Sequence, residues 1–329
     1  MNANKSRTTA TIFSVDDHYV PFLLVALKSM MANAKLAYKY QIIILHEGIK
    51  EENQKQISEL ANDQFDIKFV SMKGQLNKVM KGKEAKLRGD YFTFTIFFRL
   101  FIADMFAEYD KAVYLDADII VPGDIGELYQ TDIGDNLVGA TSDFFIGGNP
   151  FLAEYSENSI GVPAADYINS GVLVMNLKQF RSQEFSNEFL YLYNKYHFET
   201  VAPDQDYLNA IGQGRIYHLG DEWNAQAGYP QRVVDQPKLV HYNLFNKPWS
   251  YAKVAYGDYF WKYAKQIPGS YEAAKAMQAA YSPEQIQADK DNYKGLVKNT
   301  QSIIKSGETF KVLYKQNHKP NHGVNYANN

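Results

Sequence analysis

The sequence predicts an α/β fold with a doubly wound, mostly parallel sheet and a helical C-terminal extension. Three observations carry this expectation. Over the first 265 or so of 329 residues, short β-type runs alternate with longer helical patterns, as strand–helix–strand crossovers require. Hydrophobic residues make up 46% and charged residues 22%, enough for a large buried core. Near Lys262 the composition shifts to a lysine-rich section.

Residues 11–15 are short, apolar and partly β-branched, so they read as a buried strand. A helical pattern follows over residues 20–31. Residues 41–45 form a second strand, 51–60 a polar-rich amphipathic helix and 67–70 a third strand. The bulky apolar residues of 94–105 predict a helix buried on most sides. Residues 112–115 form a fourth strand that runs directly into Asp116, and later strands fall at 137–141 and 171–175. In such sheets ligands bind beyond the carboxyl ends of the strands. The chain divides into residues 1–265 and an extension of residues 266–329. Within the extension, Ser282, Pro283 and Gln285 occupy the N-cap, N1 and N3 positions of a helix. Leu296, Ile303 and Ile304 are too sparse to bury that helix deeply, and residues 317–329 are polar and expected to fray.

Several classes are excluded. With 34 basic and 37 acidic residues the net charge is −3, too near neutral for a dedicated nucleic-acid binder. The absence of cysteine rules out disulfide scaffolds, thiolate zinc, iron–sulfur clusters and thiol catalysis. The best apolar stretch, residues 22–27, lies between Pro21 and Lys28, far short of the roughly 20 residues that cross a bilayer. It also begins too late, after the acidic Asp16 and Asp17, to be a signal peptide, so cytoplasmic residence is expected. The 25 tyrosines offer flat faces with polar tips, suited to sugar rings and bases as well as to core and rim packing.

The sharpest constellation is Asp116-Ala117-Asp118 at the end of an apolar strand. Alternate residues share a side, so both carboxylates can face one cation. A solvated turn would explain an isolated pair of acids; the buried strand before them favours a divalent ion that offsets their charge. Hard oxygen ligands suit Mg²⁺ or Mn²⁺ bridging a nucleoside diphosphate. His241, after Val240, is a further candidate ligand, and Lys247 in Lys247-Pro248-Trp249 a candidate phosphate contact; a structural histidine and a tight turn are the alternatives. Asp204, Gln205 and Asp206 begin a helix, where acids also serve as caps, yet the trio can hold several sugar hydroxyls. Asn169-Ser170-Gly171 precedes an apolar strand as a turn or a polar contact. Ser14, Asp16 and His18 follow the first strand, where a base or ribose would lie; there Asp17 could cap the next helix while Asp16 points outward. Arg99 needs an anionic partner, from the protein or from a substrate, if it is buried.

Together and in this order, over residues 11–263, these pieces resemble glycosyltransferase family 8, which includes bacterial lipopolysaccharide galactosyl- and glucosyltransferases and glycogenin. The resemblance implies a GT-A-type catalytic domain over residues 1–265 and a retaining hexosyltransferase using UDP-glucose or UDP-galactose. It implies Mn²⁺ (or Mg²⁺) held by Asp116, Asp118 and His241, with Lys247 on the diphosphate. Ser14, Asp16, His18 and Ala117 fall on the nucleotide side. Arg99, Asp143, Asn169, Asp204 and Gln205 match positions that hold the donor sugar, with Gln205, Asp204 and Asp143 as the candidate catalytic residues. His18 stands where related bacterial enzymes carry Asn, and Leu244 where they carry Gly beside the phosphates. The acceptor would be a glycan, glycolipid or glycoprotein.

The weaker alternatives are an Asp-X-Asp phosphatase, disfavoured because the motif sits on the fourth strand, and a non-catalytic nucleotide- or glycan-binding protein. From Lys262 onward ten lysines face five acids, a net +5 against −8 for the rest. Those lysines, with Phe310 and Tyr314, suggest peripheral contact with anionic lipid at the inner face of the cell membrane.

Overall fold

The computed structural model describes residues 7–74, 94–229 and 232–316. Strands β1 (Arg7–Ser14), β2 (Tyr38–His46), β3 (Phe65–Ser71) and β4 (Lys111–Leu115) run parallel in the spatial order β3-β2-β1-β4. β5 (Ile119–Ile120) leaves this sheet, and β6 (Val138–Ala140), β7 (Val172–Asn176) and β8 (Ile216–His218) extend it to β3-β2-β1-β4-β7-β6-β8. β9 (Ala225–Gln226) and β10 (Val240–His241) join β5 in a small second sheet.

β7 is antiparallel to both of its neighbours, β4 and β6. Its amino end therefore lies beside the carboxyl end of β4: Leu115 pairs with Val172, and the Asp116 N–H donates to the Gly171 carbonyl at 2.8 Å. The reversal carries Asn169, Ser170 and Gly171 to the edge where β1 and β4 terminate.

The apolar runs place their side chains as expected, with Ile12, Phe13, Ile42, Ile44, Val113 and Leu115 essentially inaccessible. The helix Val20–Asn33 starts on Pro21 and buries most of its residues. Its preceding turn is capped by Asp16, whose Oδ1 accepts from the N–H groups of His18 and Tyr19. Asp17 instead accepts from the Lys50 N–H and the Asn53 amide, so the two acids exchange the roles expected of them. Residues 94–105 also differ from expectation. They form a 3₁₀ stretch, Phe94–Leu100, followed by a short α-helix, Ile102–Met105. Aromatic and β-branched residues lose rotamer freedom in an α-helix, and burial of Phe97, Phe98, Leu100 and Ile102 decides the path.

The helix Pro283–Ser306 begins with the expected capping box between Ser282 and Gln285. The residues after it depart from the expected lipid contact. Phe310 and Tyr314 are buried in the main core, with the Phe310 ring 4.1 Å from Phe198 and 4.8 Å from Tyr207. Aromatic area sunk among core rings is not available to lipid. The expected frayed segment, 317–329, lies outside the described residues. Among the described residues no helix is long and apolar enough to cross a membrane.

Candidate functional site

The carboxyl ends of β1 and β4, the amino end of β7 and the start of the helix Pro203–Gly212 converge on one cleft of about 1300 Å³. Each of the fourteen residues that the family resemblance assigns to the site lines it: Ser14, Asp16, His18, Arg99, Asp116, Ala117, Asp118, Asp143, Asn169, Asp204, Gln205, His241, Leu244 and Lys247.

At its centre, pairing of His241 with Ile119 draws β10 against the segment that follows β4. His241 Nε2 lies 3.3 Å from Asp118 Oδ1 and 3.8 Å from Asp116 Oδ2. One ligand atom from each of the three residues falls within 4.8 Å of the others. The outward oxygens are already held: Asp116 Oδ1 accepts from Arg99 Nη2 (2.9 Å) and the Tyr114 hydroxyl (3.0 Å), and Asp118 Oδ2 from Lys247 Nζ (2.5 Å). Burial pushes the Asp118 carboxyl up, but Lys247 and His241 outweigh it and hold the group well below the usual carboxylate range. Two carboxylate oxygens and an imidazole nitrogen suit Mn²⁺ or Mg²⁺. His241 Nδ1 sits 3.0 Å from Asn224 Oδ1; an N–H donated there leaves the Nε2 lone pair for a cation.

A second group of side chains forms the wall beside this trio. Asp143 Oδ2 accepts from Asn169 Nδ2 (2.9 Å) and Gln205 Nε2 (3.0 Å), while Gln205 Oε1 accepts from the Ser170 N–H (2.9 Å). Asp204 Oδ2 accepts from the Ser170 hydroxyl (2.9 Å) and faces Arg99 Nε at 3.1 Å. Arg99 therefore clamps Asp116 and Asp204 together, its guanidinium 4.4 Å from the Tyr114 ring centre. Its anionic partners are thus carboxylates of the protein itself. Burial pushes the Asp204 carboxyl up, opposed by Arg99. Asp206, expected in the same cluster, turns away from the cleft. It accepts from the hydroxyls of Tyr155 and Tyr167 and from the N–H groups of Val201 and Ala202, and so anchors the helix start.

On the remaining side, Ser14 donates to the Thr95 carbonyl at 2.9 Å, and His18 stands at the rim with 94% of its side chain exposed. Leu244 has φ +59°, the left-handed backbone that favours glycine.

Sequence reasoning missed three contributors. Gly171 read as a turn, yet a Cβ there would sit 2.3 Å from His241 Cε1 and 2.6 Å from Asp116 Oδ2. Asn224 carried no local signal; it links His241 to Asn169, whose Oδ1 accepts from Asn224 Nδ2 at 3.0 Å. The extension also lines the cleft, through residues between Met277 and Asn299.

Set beside known proteins, residues 10–253 match the profile of glycosyl transferase family 8. The chain belongs to that family. Among family 8 relatives, the glycosyltransferase GlyE of Streptococcus pneumoniae serotype 4 is 28% identical over 274 residues, 78% of this chain and 60% of GlyE. The lipopolysaccharide 1,2-glucosyltransferase of Escherichia coli is 24% identical, over 75% of each chain. The chain spans only 60% and 35% of the pneumococcal relatives GlyE and GlyA. The crystal structure of the galactosyltransferase LgtC with donor and acceptor sugar analogues superposes with a TM-score of 0.63 at 24% identity, covering 85% of this chain and all of LgtC. The family 8 chain thus has the GT-A fold.

Proposed function

We propose that the protein is a retaining hexosyltransferase that moves glucose or galactose from a UDP-sugar to the hydroxyl of a carbohydrate-bearing acceptor, with Mn²⁺ or Mg²⁺. The observation that carries this reading is the Asp116–Asp118–His241 trio, with Lys247 on one side and the Asp143–Asn169–Gln205 network on the other. Asp116, Asp118 and His241 would hold the ion, which when bound neutralises charge on the departing diphosphate. Lys247, already beside Asp118, supplies a second positive charge to that leaving group. Ser14 ends β1 and Asp16 and His18 follow it, where they would take the ribose and base, with Ala117 and Leu244 along the nucleotide. Asn169, Asp143, Asp204 and Gln205 hold the sugar's hydroxyls.

Gln205 is fixed at both ends of its amide and is a poor nucleophile, so its role is to face the electron-poor anomeric carbon. Asp204 is tied to Arg99 and Ser170, which weakens it as a nucleophile. We therefore favour attack from the leaving-group side: the acceptor oxygen bonds to the anomeric carbon as the sugar–phosphate bond breaks. The acceptor's proton passes to the departing phosphate. Residues 1–265 form the catalytic domain in this reading and 266–329 the extension. We place the protein in the cytoplasm, where the exposed Lys290, Lys294 and Lys298 would be the contacts with any anionic surface.

The test is UDP release from a panel of UDP-sugars with Mn²⁺ and then with EDTA. Turnover should require metal, and Asp118→Ala should lower it by about 100-fold or more. Absence of metal-dependent turnover with every donor would leave a binding protein as the better reading.

A further inference from the structure

The family match ends at residue 253, but the walls of the cleft do not. From the helix Pro283–Ser306, Asp289, Asn292, Leu296 and Asn299 line the cleft, at a spacing that puts them on one helical face. Tyr293, on the same helix, lines a smaller pocket of about 260 Å³ that adjoins the cleft. The two spaces share Phe145, Asn243, Leu244 and Phe245 as a common wall.

The small pocket has the chemistry of a carbohydrate subsite. Among the described residues its lining carries aromatic rings and carboxamides and no charged side chain. Tyr293 keeps 36% of its surface exposed and packs edge-on to Phe145 with centroids 5.8 Å apart. Its hydroxyl accepts from Asn149 Nδ2 at 2.8 Å, which fixes the ring at the pocket mouth. Asn243 in the shared wall is 6% exposed; its amide reaches Gln226, while its buried Oδ1 has no partner among the described residues. An orphaned acceptor costs free energy unless a donor reaches it; the atom is closed to solvent here, so a sugar hydroxyl satisfies it once the carboxamide turns toward the pocket. The volume lies just under the ~300–1,000 Å³ of ordinary ligand pockets, which fits one ring of a longer ligand.

We propose that this pocket binds the second sugar of the acceptor, so that the helical extension selects an uncharged, hydroxyl-rich glycan of at least two units. The inference rests on the transferase reading above, in which the acceptor's terminal sugar occupies the cleft beside Gln205. Anionic acceptors are disfavoured because the pocket's described lining offers no cation to pair with them, and the acids Asp289 and Asp291 stand at the cleft wall.

The experiment compares neutral disaccharides with their methyl monosaccharide counterparts as acceptors for the full-length protein, using UDP-glucose and UDP-galactose with Mn²⁺. For the disaccharide used best, kcat/KM should exceed that of its monosaccharide by about tenfold, the effect expected of one well-packed ring. In Tyr293→Ala that ratio should fall to about three or less, chiefly through KM, whereas Tyr293→Phe, which keeps the ring, should retain most of it. An unchanged ratio in Tyr293→Ala, a preference for anionic acceptors, or UDP-sugar hydrolysis without transfer to any neutral disaccharide would overturn the proposal and leave the transferase reading standing. Failure to release UDP from either donor would overturn both.

Discussion

At the scale of single residues, the site depends on a side chain that is missing. Gly171 is needed because its Cα lies against His241 and Asp116, not because its turn demands unusual backbone angles: the Cβ of an alanine would overlap His241 Cε1 at 2.3 Å. Gly171→Ala should therefore displace the imidazole and lower metal-dependent turnover by roughly 100-fold. Its metal-free melting temperature should move by only a few degrees, measured by calorimetry with and without Mn²⁺. The same loss without metal sensitivity would point to a folding role. The acids Asp116 and Asp118 were legible in the sequence because an apolar strand delivers them. Gly171 and Asn224 were not, because the crowding and the hydrogen bond that define them come from His241, 70 residues beyond the glycine. Leu244 shows the reverse. Its departure from the family's glycine was visible, and its φ of +59° explains the preference: a non-glycine residue there carries about 1–2 kcal/mol of strain.

At the scale of elements, acids at a helix start divide their work. Asp204 faces the cleft and Asp206 ties Tyr155, Tyr167 and two backbone N–H groups together. Burial pushes the Asp206 carboxyl up to about 6 despite those four hydrogen bonds. A carboxyl that holds its proton more tightly when folded takes up a proton on folding, between its ordinary 3.8 and about 6. The resulting stability is fully present below about pH 4 and is lost as pH rises through 6, on the order of 3 kcal/mol. In Asp206→Asn, urea unfolding across this range should lose that contribution to the pH slope; a slope equal to that of the unsubstituted protein would locate the effect elsewhere. The division between the two acids was unreadable from spacing alone, since both sit within one helical turn. Strand positions were readable from apolar runs. The direction of β7 was not, because an apolar strand shows the same pattern in either direction. The path of residues 94–105 was lost for a related reason: bulky apolar residues announce burial without announcing the helix type.

At the scale of the whole molecule, the division by charge is not a division by packing. The −8 and +5 portions meet in one core, where Ile303, Phe310 and Tyr314 pack with strand and helix residues of the −8 portion. Phe310→Ala should cost about 3–5 kcal/mol, read as a lowered denaturation midpoint with donor-sugar KM little changed in the folded fraction. A loss below about 1 kcal/mol would mean that the extension is merely laid against the surface. The burial of Phe310 and Tyr314 was hidden in the sequence because their partners, Phe198, Tyr207 and Glu188, are more than a hundred residues upstream.

That long-range closure also orders events during synthesis. Phe310 follows Tyr207 by 103 residues, so a growing chain exposes the rings around Tyr207 until that late segment emerges from the ribosome. The helix bearing Tyr293 is translated just before it. The wall of the cleft that this helix lines and the seal on the core are therefore completed together, late in synthesis.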